Sequence, residues 1–265
     1  MLAPNDRQLY IAPRYQHLEK LLLDLESVFS AGDDVLYAKR NLIKKVRLGA
    51  CETVIKSFKP PSGLRALIYG NVRKSKAFRS FENALRLQRS GITTPEPIAV
   101  IEHTNHFRLR ESFYITAHYD HHYTMEPVLR SVASAGSVNP CPAYAKNLEI
   151  LKQFVTFTFR LHEADAIHGD HNPNNTLIRD HGDRADFAVI DLNRMRFGAP
   201  TLRKRMTDFT RLSDNDKVLK IIAESYAQLA GYKQETCYAL LTRATERRLR
   251  IQRWKKTMKQ KLLAR

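Results

Sequence analysis

The chain has 265 residues, enough for one two-lobed domain or two small ones and well above the length at which burying a core becomes difficult. With 43% hydrophobic and 27% charged residues it is neither disordered nor fibrous in composition. Its 44 Lys and Arg against 27 Asp and Glu give a formal charge of +17, which predicts attraction to a polyanion: nucleic acid, an anionic leaflet or a phosphorylated substrate.

Cys51, Cys141 and Cys237 lie far apart and form no C-x-x-C pair, which argues against a disulfide framework or a zinc site and for a reducing, cytoplasmic compartment. The opening MLAPNDRQLY has no basic segment leading into an apolar run, and no stretch approaches about 18 consecutive apolar residues. Any membrane association is therefore expected to be peripheral.

In chain order, residues 13–29 place Leu18, Leu21, Leu22, Leu25 and Phe29 at helical spacing, stopped by Ser30-Ala31-Gly32-Asp33-Asp34. Residues 35–47 and 52–58 alternate apolar with polar side chains, and Leu48-Gly49-Ala50-Cys51 reads as the hairpin turn between them. After Pro60-Pro61 a helix is expected at 75–90, ending at Gly91, then strands at 97–103 and 107–116. A loop at 131–143 leads into a long helix, 144–163, with Leu148, Leu151, Phe154, Val155, Thr158, Phe159 and His162 on one face. Short strands at 176–179 and 186–190 flank the turn Asp180-His181-Gly182-Asp183, and 205–265 is mostly helical. The expected fold is α+β and bilobal: a helical extension over 1–34, a sheet-rich N-lobe over 35–118 and a mostly helical C-lobe over 119–265, with the hinge at Ala117–His122.

The most specific stretch is Ile167-His168-Gly169-Asp170-His171-Asn172-Pro173-Asn174-Asn175, followed by Ala188-Val189-Ile190-Asp191. It fits H-x-D-x-x-x-x-N plus a strand-borne Asp, the arrangement of kinases. Phosphoryl transfer to a hydroxyl needs a carboxylate at the nucleophile, for which Asp170 stands, and hard-oxygen ligands for Mg²⁺, for which Asn175 and Asp191 stand. His168 is then structural, packing under the loop. Transfer also calls for a Lys on the nucleotide phosphates, held by a Glu from a neighbouring helix. Val54-Ile55-Lys56 supplies the first on a predicted strand and Glu82 the second. The bend Tyr37-Ala38-Lys39-Arg40-Asn41 contains no glycine where protein kinases carry G-x-G-x-x-G, so Lys39, Arg40 or Asn41 has to compensate with charge and side-chain donors. Asp191-Leu192-Asn193 stands in place of D-F-G and no A-P-E follows, which points away from an ordinary protein kinase. Ala117, His118 and Tyr119 lie where backbone groups would meet the adenine of ATP. His103, His106, His118, His121 and His122 lack a companion Cys or carboxylate at ligand spacing.

Arg40-Asn41, Val54-Ile55-Lys56-Ser57-Phe58-Lys59, Ser75-Lys76-Ala77-Phe78-Arg79-Ser80-Phe81-Glu82, Gly91-Ile92-Thr93-Thr94-Pro95-Glu96-Pro97-Ile98 and the loop at 168–175 together resemble the lipopolysaccharide kinases that phosphorylate Kdo or heptose, members of the kinase-like superfamily. The resemblance spans about 40–210. It implies transfer of the ATP γ-phosphate to a sugar hydroxyl of a lipid-anchored glycolipid at the cytoplasmic face of the inner membrane, and it implies that Asp208 braces the catalytic loop. Residues 243–265 hold ten Lys or Arg against one Glu, with Ile251, Trp254, Met258 and Leu262 at helical spacing. That is the pattern of a basic helix on an anionic membrane surface, or of a terminal helix packing its stripe on the C-lobe. Arg203-Lys204-Arg205 offers a further basic cluster to an anionic acceptor. A small-molecule or protein acceptor is the alternative within the same enzyme class. Nucleic acid is not expected as a partner, since no module with interleaved aromatics is present.

Overall fold

The computed structural model describes residues 5–39, 41–59, 74–105, 108–134 and 142–263. Arg40, Pro60-Pro61, His106, Cys141 and most of the expected loop at 131–143 lie outside the described residues. The described chain forms two compact units, one running to Asp120 and taking in Asp191–Asn193, the other made of His121–Ile190 and Arg194 onward.

The first unit is built on an antiparallel six-stranded sheet. Its strands are β1 (Asn5–Ile11), β2 (Val35–Ala38), β3 (Leu42–Leu48), β4 (Cys51–Phe58), β5 (Pro97–Asn105) and β6 (Arg108–Ala117), in the spatial order β1-β5-β6-β4-β3-β2. β3 and β4 are joined at the predicted hairpin, where Gly49 takes φ +59°, a left-handed conformation that suits glycine. Strand β1 was not anticipated; it pairs with β5 along its whole length, from Asn5↔Asn105 to Ile11↔Ala99. The helix expected over 13–29 is broken into a 3-10 turn, Pro13–Leu18, and two short helices, α1 (Glu19–Leu23) and α2 (Leu25–Ala31). The periodic leucines still do their packing. Leu18, Leu22, Leu25 and Phe29 are buried with Val46, Ile55, Phe81, Ile101 and Ile115 in one core. Helix α3 (Lys76–Arg89) starts at Ser75, whose hydroxyl accepts from the Phe78 amide at 3.0 Å, an ordinary N-cap, and it buries Ala77, Phe81, Ala84 and Leu87.

The second unit is mainly helical. Helix α4 (Met125–Ser134) occupies a stretch left unassigned by sequence and runs on into 131–134, which was expected as loop, and α5 (Pro142–Glu163) is the long predicted helix. Strand β7 (Tyr123–Thr124) joins β9 (Thr176–Asp180) and β10 (Ala185–Val189) in a small sheet, and β8 (Ala166–Ile167) pairs with β11 (Arg196–Phe197). Helices α6 (Leu202–Asp208), α7 (Asp216–Ala230) and α8 (Gln234–Leu263) follow. Its core gathers Val128, Leu151, Phe154, Phe209, Ile222, Tyr226 and Leu241.

Helix α8 changes character along its length. Cys237, Leu241 and Thr245 are buried, whereas every residue from Arg250 to Lys261 is exposed, Trp254 at 62%. Ile251, Trp254 and Met258 are therefore exposed rather than packed on this unit, and the Leu262 side chain lies outside the described residues. No helix among the described residues is long and apolar enough to cross a membrane.

Candidate active site

In the first unit, strand alternation buries Ile55 and turns Lys56 to the other face, beside Ile43 on β3 and Tyr114 on β6. The Lys56 side chain is only 16% exposed, and its ammonium donates to Asp191 Oδ1 at 2.6 Å, 4.9 Å from the centre of the Phe58 ring. A half-buried ammonium needs such a counter-charge. Asp191 itself takes φ +61°, a conformation rare outside glycine and tolerated by Asp better than by most residues. Two amides hold that turn. Asn193 Nδ2 donates to the same Asp191 oxygen at 2.8 Å, and Asn83 Nδ2, on α3, donates to the Leu192 carbonyl at 2.8 Å.

Glu82 is not on Lys56. Its carboxylate accepts from Lys74, just before α3, at 2.5 Å, so the Lys–Glu pair expected from sequence is replaced by two pairs, Lys56–Asp191 and Lys74–Glu82. The glycine-free bend borders a cleft of about 250 Å³ lined by Ala38, Lys39, Asn41, Leu42, Ser57 and Lys59. Two ammonium groups, an amide and a hydroxyl with no carboxylate suit phosphate oxygens. At the end of β6 the Ala117 amide donates to the Glu96 carbonyl at 2.8 Å, and that of His118 to Glu52 at 2.8 Å. Both amides are thus spent within the chain, and Tyr119 follows outside any regular element.

In the second unit the loop after β8 is fixed from below. Asp208, at the end of α6, accepts from the His168 amide at 3.0 Å and the Gly169 amide at 2.8 Å, with its side chain 1% exposed. Burial pushes such a carboxyl up, but the imidazoles of His162 and His171 beside it outweigh this and hold it well below the usual range. His162, fully buried, is held below its ordinary value, burial outweighing the pull of Asp208. The neutral ring accepts from the Tyr226 hydroxyl at 2.9 Å, and that hydroxyl receives Arg205 at 3.2 Å. Arg205 is also paired with Glu163 at 2.5 Å, so it is an internal anchor rather than part of an exposed basic cluster. His168 lies stacked on His171; its Nδ1 accepts from the Asp170 amide at 3.3 Å and its Nε2 donates to the Ile190 carbonyl at 2.9 Å. Gly169, at φ +73°, leaves no room for a side chain: a Cβ there would meet the Arg194 carbonyl oxygen at 2.6 Å.

The same loop sets the polar groups at its far end. Asn175 Nδ2 donates to the Asp170 carbonyl at 2.8 Å, which commits the amide's donor end and leaves its oxygen for a cation. Asp170 has a side chain 13% exposed and is ion-paired with two guanidinium groups, Arg194 at Oδ2 (3.0 Å) and Arg211 at Oδ1 (2.9 Å). Neither arginine was singled out from sequence, nor were Asn83 or Lys74, while His162 was read only as part of a helix face and His171 only as part of the loop. Only Arg194, three residues past Asp191, carried a positional hint. Arg211, Asn83 and His162 reach their partners over separations of 41 to 109 residues, which a linear pattern does not record.

The sequence profile described as "Lipopolysaccharide kinase (Kdo/WaaP) family" matches residues 65–232. Among curated proteins none matches. Of solved structures, 1164 chains match, so the fold is widely shared and does not by itself name an acceptor. One is WaaP in complex with acyl carrier protein, at a TM-score of 0.62 and 16% identity, covering 91% of this chain and 98% of that one.

Proposed function

Because the chain belongs to the lipopolysaccharide kinase (Kdo/WaaP) family and is thus a phosphotransferase acting on a lipopolysaccharide sugar, we propose that it moves the γ-phosphate of ATP to a Kdo or heptose hydroxyl of the inner core. The observation that carries the residue roles is the loop at 168–175, braced on Asp208, with Asp170 and the amide of Asn175 at its working end. In this reading Asp170 accepts the proton of the sugar hydroxyl. That oxygen forms a bond to the γ-phosphorus, the bond from phosphorus to the β–γ bridging oxygen breaks, and ADP leaves.

Asn175 and Asp191 suit Mg²⁺ because both offer hard oxygens. When bound, Mg²⁺ supplies charge neutralisation on the phosphates. Lys56 exchanges Asp191 for phosphate oxygens, and Glu82, paired with Lys74 in this structure, becomes the partner of that lysine when nucleotide is bound. Arg40, Asn41 and Lys39 serve the phosphates, while Ala117 and Tyr119 border the adenine through groups other than the Ala117 amide. Asp208 and His168 are structural supports.

The acceptor is lipid-anchored, and the exposed stripe of α8, set among Lys and Arg, supports docking on an anionic leaflet at the inner face of the inner membrane. The WaaP structure holds an acyl carrier protein, so such a protein is the alternative ligand to be tried against the same surface. Purified protein incubated with labelled ATP, Mg²⁺ and Kdo- or heptose-bearing lipid A is expected to yield labelled glycolipid. Asp170→Ala should lower turnover by roughly 10²–10⁴-fold while nucleotide still binds. Absence of transfer to every such acceptor, or transfer only to soluble acceptors, overturns the reading.

A further inference from the structure

Both carboxylate oxygens of Asp170 are engaged by arginines, although a residue that is to receive a proton must present an oxygen to the hydroxyl. The two arginines are not equivalent. Arg194 is held close by its own backbone, whose carbonyl lies against Gly169. Arg211 sits on the 3-10 turn Phe209–Arg211, which packs against α8. There it faces Arg248, whose Nε is buried with no partner among the described residues and whose Nη1 reaches only Gln252, at 3.2 Å. Burial lowers the proton affinity of Arg248, and the charge of Arg211 lowers it further against the opposing pull of Asp214. Arg194 and Arg211 thus share the one carboxylate of Asp170, and the turn that carries Arg211 packs on the helix that carries Arg248. The Arg194 and Arg211 side chains are 45% and 42% exposed, open to a ligand.

We propose that Arg211, backed by Arg248, is the subsite for an anionic group on the acceptor, and that seating this group draws Arg211 away from Asp170 and uncovers Oδ1 for the hydroxyl. The inference rests on Asp170 as the proton acceptor. The group is a carboxylate of an acidic sugar or a phosphate already on the glycolipid, either of which a guanidinium binds in the same forked way. The acceptor would then prepare the base that acts on it, so a neutral sugar in the site would find Asp170 still capped.

The test compares three acceptors: the native glycolipid, the same molecule with its sugar carboxyl esterified, and the same molecule with its phosphates removed. Wild-type enzyme is expected to prefer the native form over one of the two neutralised forms about ten- to a hundred-fold in kcat/KM, the scale of one charged hydrogen bond, and the form that suffers identifies the group. Arg211→Gln should bring that ratio close to one, with Arg211→Lys recovering part of it. Arg248→Gln, at a position not touching Asp170, should reduce it as well and guards against an Arg211 variant that misfolds. A ratio that stays the same in both glutamine variants, or a wild-type enzyme indifferent to both neutralisations, overturns the proposal. Orthophosphate titrated by calorimetry without nucleotide or acceptor gives a second readout: binding by wild type and not by Arg211→Gln supports the subsite, and equal binding or none refutes it. If wild type phosphorylates none of the three acceptors, the functional reading fails, whereas the orthophosphate result still decides the subsite.

Discussion

At the scale of single residues, Asp208 carries the most structure for its size. One carboxylate satisfies two consecutive amides of the loop at 168–175 and closes a directed chain of donors, from Arg205 to Tyr226 to His162. Asp208→Ala leaves those amides buried without an acceptor and should cost about 3–5 kcal/mol, the range for removing one partner of a buried charged network. Urea unfolding checks this, and a loss under 1 kcal/mol would show that water or a shifted side chain takes over. The H-x-D-x-x-x-x-N spacing made the loop legible because each of its members lies within eight residues of the others. Asp191 was legible because it ends an apolar β-prone run. The partners that fix these groups were not. Arg211 lies 41 residues after Asp170 and Asn83 lies 109 before Leu192, and nothing in the local sequence distinguishes them from other surface Arg and Asn.

Among the elements, α8 divides into a packed and an unpacked half. Since every side chain from 250 to 261 is exposed, ending the chain after Leu249 should change the unfolding free energy by no more than about 0.5 kcal/mol. The same truncation should abolish flotation with anionic vesicles while neutral vesicles fail to bind either form. A truncated protein that still floats with anionic vesicles would place the membrane contact elsewhere, and one that is strongly destabilised would mean the half-helix packs after all. The periodicity of 243–265 announced a helix with an apolar stripe but could not say what covers it, because a stripe has the same spacing whether it meets a core or a lipid surface. For the same reason the long helix at 142–163 and the strands at 97–105 and 108–117 were readable to within a residue or two. Strand β1 was not, since NDRQLYI alternates weakly and gains its place only by pairing with β5. The break of the first helix at Asp24 also escaped, as helical spacing survives a short interruption.

For the whole molecule, the excess of positive charge and the buried imidazole give opposite lessons about pH. The +17 charge favours anionic surfaces at any pH near neutrality, and that attraction should weaken as salt shortens the Debye length. Stability depends on His162. Burial lowers its affinity for a proton in the folded state, so its contribution is complete above the ordinary imidazole value of about 6.5 and declines as the pH falls below it, when the unfolded chain takes up the proton first. Asp208, held well below the carboxylate range, adds a further loss as the pH falls below about 3.9. The urea midpoint should therefore drop between pH 7 and pH 5, and His162→Gln should flatten that slope. An unchanged slope in the variant would assign the effect to another group.

The three residues Asp191–Asn193 belong to a unit whose other described residues all precede His121. During synthesis the first 120 residues leave the ribosome 71 residues ahead of Asp191, a delay of roughly 4–14 s at ordinary elongation rates. For that interval the nascent sheet holds Lys56 without the carboxylate it meets in the finished protein, and Asn83 without the Leu192 carbonyl. The N-terminal sheet is complete early, while the Lys56 and Asn83 contacts wait for a segment made much later, so the finishing of that unit depends on translation well beyond its own strands.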